Sequence, residues 1–299
     1  TEILFSDNES SVTGKGAAAT GADVTITAAG TYLVKGSAPD ATLTIDAAKT
    51  DKIQLVFDGV SISCTDGPAV YIKCADKVFI TLADGSENFL SDGDSYEIVD
   101  DGSTLDAALF SKEDLTINGS GSLTVNGNYK HGIVSKDDLV ITGGIITITS
   151  VKAGIDGKDC VKIGGGTIRI TAGSDGIRSS NDEDTSRGYI YISGGTIDIT
   201  AGNDGIQAET VLNITGGEFT IESGGGSANA STSSDGGWNS GWGSWGGFGG
   251  FGGTTQTTAD EASAKGLKAG TELIITNRTY SQDIFADLVP IIGNIAITI

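Results

Sequence analysis

Between His131 and Glu222, apolar and polar residues alternate in short runs, and the runs recur at a fixed step. Ile168 and Ile170 fall on one side of such a run, and Thr167, Arg169 and Thr171 on the other, which is the period of a strand. The phase repeats as Ile146/Ile168/Ile197/Phe219 and Ile148/Ile170/Ile199/Ile221. A second set reads Leu139/Val161/Ile190/Leu212 and Ile141/Ile163/Ile192/Ile214, and a third Ile133/Ile155/Ile177/Ile206. Gly-Ile pairs begin at Gly132, Gly154, Gly176 and Gly205, stepping by 22, 22 and 29 residues, and Gly-Gly pairs at Gly143, Gly165, Gly194 and Gly216, stepping by 22, 29 and 22. The longer step is one 22-residue coil plus a seven-residue insert between Asn181 and Gly188. Three strands per coil, with β-branched residues stacking in columns and glycines at tight corners, predict an all-β, right-handed, single-stranded parallel β-helix. An antiparallel sandwich with coincidental repeats is the alternative.

The register extends both ways. Ile72, Val78 and Ile80 align with Leu109, Leu115 and Ile117, which align with Ile133, Leu139 and Ile141, at steps of 37 and 24 residues. The first step contains an excursion from Asp84 to Asp106. Residues 1–60 hold β-rich runs of irregular spacing, as expected of a region that caps a solenoid end. Residues 224–262 form a Gly/Trp-rich loop insertion carrying Trp238, Trp242 and Trp245, together with Phe248 and Phe251. Thr276 follows Thr215 by 61 residues, one coil plus a 39-residue insert. A further coil places Ile295–Thr298 over the Leu212 strand, although Tyr280–Ile292, with Pro290, departs from the pattern. One β-helix domain spanning 1–299 is expected, with an open terminal coil available for end-to-end self-association.

Charge narrows the partners. The chain has 39 acidic against 18 basic residues, a formal net charge of −21, which excludes the basic footprint that nucleic acid requires. No apolar run reaches the ~18–20 residues of a membrane span, and Thr1 reads as a mature or trimmed start. With three cysteines there is no disulfide framework; Cys64 and Cys74 are a candidate pair, and Cys160 reads as a buried thiol.

The residue before each Gly-Ile reads His131, Ala153, Asp175, Asp204, Lys265, Asp287 along the coils. Asp175 and Asp204 stand in adjacent coils, at roughly the 4.8 Å strand spacing, where two carboxylates repel unless one is protonated or a cation intervenes. Asn203, Asp156, Asp182 and Asp184 complete a candidate oxygen set, and Asp92-Gly93-Asp94 offers a second; oxygen ligands without Cys or His select calcium. Solvated acids at corners are the alternative reading. A lysine column, Lys112/Lys136/Lys158, runs beside an acidic one. It is either a salt-bridged surface or a subsite for sugar carboxylates. The loop tryptophans are candidates to stack on pyranose rings, to fold onto the helix flank, or to mediate self-association.

The runs Ala107–Lys112, His131-Gly132-Ile133 with Ser135–Leu139, Ser174–Ile177, Ile192–Ile197 and Asn203–Ala208 resemble one family over roughly residues 30–280: clostridial carbohydrate-binding, polysaccharide-lyase-like β-helix proteins. The resemblance implies a secreted or cell-surface, calcium-bound β-helix that binds cellulose and acidic plant-wall sugars such as polygalacturonate. A calcium-dependent pectate-lyase activity is the alternative, with Lys152, Lys158, Arg169 and Arg178 as candidate bases. A self-assembling surface protein is a third reading.

Overall fold

The computed structural model describes residues 1–96, 99–100, 103–224, 264–276 and 296–297. Among them every regular element is a strand, arranged in two large sheets of 16 and 10 strands. Pairing between successive coils is parallel throughout, and the apolar columns meet as the alternation requires. Ile133, Ile155, Ile177 and Ile206 are consecutive partners in the ten-stranded sheet. Leu139, Val161, Ile190 and Leu212 stack in the sixteen-stranded one, as do Ile146, Ile168, Ile197 and Phe219. The chain is a parallel β-helix, and its stacked isoleucines, leucines and valines form one continuous buried core.

The larger sheet joins two of the three columns because some strands run unbroken through a Gly-Gly corner, as Tyr189–Ala201 and Val211–Ser223 do. The second glycine of the pair takes a left-handed backbone, for example φ +97° at Gly166, which L side chains adopt only with strain. The Gly-Ile glycines serve another purpose. Gly176 has no such φ, but a Cβ there would lie 2.5 Å from the Gly205 carbonyl oxygen and against Ile199. It is a close approach between coils that requires glycine, not a turn.

Three sequence expectations are revised. Leu109 opposes Val70, and Ile72 opposes Ser111, a two-residue slip from the alignment of Ile72 with Leu109. The solenoid also begins well inside residues 1–60. Val24 opposes Leu43, which opposes Val70, and Gly30–Ala38 pairs in parallel with Lys52–Ser63. In the two large sheets, antiparallel pairing among the described residues ends the stack, at Glu2–Phe5 with Ser11–Thr13 and Ala17–Thr20 with Asp23–Ile26; a separate small hairpin pairs Val99–Asp100 with Ser103–Thr104 in the excursion. Finally, Cys64 and Cys74 are free thiols rather than a disulfide, and Cys160 is free and buried.

Register survives the long insert. Ile206 opposes Leu267 and Leu212 opposes Leu273, each 61 residues on, and Ile275 opposes Ile297, 22 residues on. Trp238, Trp242, Trp245, Asp287 and Pro290 lie outside the described residues.

Candidate functional site on the ten-stranded sheet

In each strand of the ten-stranded sheet, the residue after the inward isoleucine or its equivalent points away from the core. These residues align into one row along the helix axis. Thr25, Thr44, Tyr71 and Phe110 lead to Val134, Asp156 and Arg178, and then to Gln207 and Lys268. The row changes character along its length: hydroxyls, then apolar groups, then charges. The excursion covers the apolar middle, where Leu105, Ala107 and Tyr96 pack on Tyr71, Phe110 and Val134 as a second apolar cluster.

Asp92 roots that strap. Its carboxylate accepts the Asn128 N–H (2.5 Å) and the Tyr96 hydroxyl (2.8 Å), and Tyr96 also reaches the Ala107 carbonyl (2.7 Å). Burial outweighs these hydrogen bonds and pushes Asp92 up to about 6. Asp94 is exposed, two residues further on.

Beyond the strap, Arg178 donates through Nε (2.9 Å) and Nη2 (2.7 Å) to Oδ2 of Asp156, whose Oδ1 accepts the Ser180 hydroxyl (2.8 Å). Arg178 Nη1 stands 3.9 Å from Asp175. Asp156 is buried, while the Arg178 side chain keeps 31% exposure and presents the outer edge of its fork. The lysine column flanks this row. Lys112 and Lys136 lie over the Tyr71 and Phe110 rings at 5.8 and 5.2 Å, and Lys158 pairs with Glu183 at 3.6 Å.

The column before Gly-Ile has a structural role visible in its hydrogen bonds. Asp175 Oδ1 accepts the backbone N–H of Asp204 (3.1 Å) and the Asn203 amide (2.8 Å). Asp204 in turn accepts the Lys265 N–H (2.8 Å) through Oδ1 and the Lys268 ammonium (2.9 Å) through Oδ2. His131 Nδ1 accepts the Ala153 N–H at 3.1 Å. Each side chain therefore staples its coil to the next. That bond also fixes the histidine tautomer: with Nδ1 an acceptor, Nε2 carries the proton, 3.9 Å from Asp106. Burial lowers the His131 pKa, so the ring is neutral near pH 7.

This donor set does not fit calcium. The two carboxylates do stand in adjacent coils, but N–H donors, Arg178 and Lys268 occupy or face their oxygens. A cation there would displace two positive side chains. Asp182 and Asp184 do not join the set either. The insert follows the strand Ile177–Ser179 whereas Asp175 precedes it, so the insert sits at the opposite corner. There Asn181 and Arg187 bind Asp159, and Asp184 caps Ser186 and pairs with Arg187. Arg169 is exposed on the other sheet, beside Asp198, and Lys152 is exposed at a corner. Neither reaches Arg178's face.

Among the described residues, carboxylates converge instead at Asp114, Asp137 and Asp138, with ligand atoms within 4.8 Å of one another. Lys77 and Lys162 flank this step, at 3.2 Å from Asp114 and 3.0 Å from Asp138. Burial, a hydrogen bond with Asp159 and the neighbouring acids push Asp137 up to about 6. The alternation of lysine and acid after each Gly-Ile strand was legible in the sequence; the convergence of three acids across two coils was not.

The fold is that of a polysaccharide-lyase-like β-helix. The chain belongs to the family of carbohydrate-binding domain-containing proteins, whose model matches residues 20–298. A carbohydrate-binding domain-containing protein of Acetivibrio thermocellus is 43% identical over 127 residues, 42% of this chain and 44% of the relative, so the match spans less than half the relative's length. A solved polysaccharide lyase-like protein from C. thermocellum, in a gadolinium derivative, superposes with a TM-score of 0.72 at 38% identity. That superposition covers 76% of this chain and 92% of the other.

Proposed function

We propose that the protein is an extracellular, non-catalytic polysaccharide-binding β-helix that receives its glycan along the outer row of the ten-stranded sheet. The observation that carries this reading is the row itself. Polar groups recur at coil spacing on a surface held by core packing, from Asp156 and Arg178 to Gln207 and Lys268. A regular polymer meets the same geometry at each step, and the supports are rigid strands rather than loops. Plant-wall glycans such as cellulose and polygalacturonate are the proposed ligands. Retention of the intact protein on insoluble cellulose and on polygalacturonate beads tests this, with Gln207→Ala/Lys268→Ala as the variant. Equal retention of variant and parent on both would remove the row from the binding role.

Lyase chemistry has less support. β-elimination needs a base beside a site that stabilises the developing carbanion. Arg178 is committed to Asp156, Lys158 pairs with Glu183, Arg169 lies on the other sheet and Lys152 is exposed at a corner. For calcium, we infer binding at Asp114, Asp137 and Asp138, where it would displace Lys77 and Lys162, rather than at Asp175 and Asp204, whose oxygens also hold backbone N–H donors of the next coil at 3.1 and 2.8 Å. The support is three converging oxygens and the neighbour's gadolinium derivative, since gadolinium, like calcium, is a hard cation that takes oxygen ligands. Terbium luminescence titration reads such binding directly. A signal unchanged in Asp137→Asn would overturn the assignment.

A further inference from the structure

The hydroxyl-bearing end of the row opens into a groove that the reading above does not use. The groove has a volume of about 660 Å³, within the ~300–1,000 Å³ of small-ligand sites. Its floor includes Thr25 and Thr44 of the row, and Tyr71 and Leu105 close the side toward the strap. Four carboxylates line it, Asp23, Asp40, Asp46 and Asp66, against the single ammonium of Lys73.

Three of the four carboxylates are held in place by the fold, and Asp66 is exposed at the rim. Asp23 Oδ1 accepts the Thr42 N–H at 2.8 Å, and Asp40 Oδ1 accepts both the N–H and the hydroxyl of Thr65 at 2.9 Å. Asp46 pairs with Lys73 at 3.1 Å. Four negative charges against one positive leave an excess of three in a concave space. Field focusing in such a space favours cations and repels uronate carboxylates. Threonine hydroxyls and carboxylates also accept and exchange hydrogen bonds with sugar hydroxyls. A bare metal ion fits less well: among the described residues, the carboxylates that converge tightly enough to chelate are at Asp114, Asp137 and Asp138.

We propose that this groove is a subsite for a sugar bearing a free amino group, a glucosamine-type residue whose ammonium is neutralised by the Asp23, Asp40 and Asp66 carboxylates, Asp46 being paired with Lys73. The inference rests on the carbohydrate-binding reading and adds a second, oppositely selective subsite to it. Polymer reaching both ends of the row would be read for amine at the groove and for other polar groups beyond the strap.

The test is calorimetric titration of the full chain with matched hexasaccharides: β-1,4-glucosamine, its N-acetylated form, β-1,4-glucose and α-1,4-galacturonate. The glucosamine oligomer is expected to bind tightest, weakening as salt rises. Asp40→Asn/Asp66→Asn keeps the acceptor that Thr65 uses and removes two charges. It is expected to weaken glucosamine binding at least about tenfold and to abolish the preference over the acetylated form. An unchanged melting temperature shows that the variant folds, and a second variant, Asp23→Asn, reads the same effect where it does not. Glucosamine binding that neither variant alters overturns the proposal. Binding of only glucose or galacturonate oligomers also overturns it while leaving the carbohydrate-binding reading intact. No binding by any of the four sinks both.

Discussion

Asp175 accepts the backbone N–H of Asp204, one coil further along the helix, at 3.1 Å. The bond ties together two coils whose carboxylates would otherwise repel, and Arg178 at 3.9 Å from Asp175 and Lys268 at 2.9 Å from Asp204 offset their charges. Asp175→Ala strands a buried N–H and is expected to cost about 2 kcal/mol in denaturant unfolding. Asp175→Asn keeps an acceptor and costs less. Chelator should leave this difference between alanine and asparagine unchanged; a difference that vanishes on chelation would return a cation to the column.

Arg178 and Asp156 form the ion pair at the centre of the exposed row, with the carboxylate buried and the guanidinium partly open. Arg178→Ala leaves Asp156 uncompensated, at an expected cost of about 3 kcal/mol. Asp156→Leu/Arg178→Leu should recover most of it, since neither charge is then buried. A double variant as unstable as the single would show that the pair is not the reason.

Glycines in the two motifs should fail for different reasons. Gly176→Ala drives a methyl toward the Gly205 carbonyl and Ile199 and is expected to cost about 2–3 kcal/mol through overpacking. Adding Ile199→Ala, which removes the Cγ2 methyl that the new Cβ would meet at 2.4 Å, should cost less in Gly176→Ala than in the parent. Gly166→Ala suffers from its φ of +97°, at about 1–2 kcal/mol. No neighbouring truncation should rescue it. Thermal unfolding of these variants separates the two mechanisms.

Asp92 makes the strap pH-sensitive. The Tyr96 hydroxyl faces two acceptors, the Asp92 carboxylate and the Ala107 carbonyl. It has one proton, so both contacts are satisfied when Asp92 carries a proton of its own. A folded pKa of about 6 lies above the ordinary value of 3.8, so between them the folded state binds more protons than the unfolded. Stability from this group therefore rises as pH falls from about 7 to 4, and is lost as pH rises through 6. Asp137, also near 6, acts in the same direction. Asp92→Asn should remove on the order of 1 kcal/mol of that pH dependence, read by unfolding at pH 4.5 and 7.5. A variant with the parent's full slope would assign the effect elsewhere.

The sequence alone determined the coil. A strand's side chains alternate with period two, and a parallel solenoid repeats its register, so 22-residue spacing of Ile155, Ile177 and their equivalents is enough to stack them. The same arithmetic carried Leu212 to Leu273 across an undescribed insert. It failed at Val70, where a 39-residue step to Leu109 hides its own phase, and in residues 23–60, whose coils vary in length. Only the tertiary structure decided the site. Spacing placed Asp175 beside Asp204, but the N–H and ammonium groups that meet their oxygens come from the next coil and from beyond the long insert. Whether a carboxylate column chelates a cation or staples a backbone depends on which donors arrive from elsewhere in the chain. Periodicity carries no information about that.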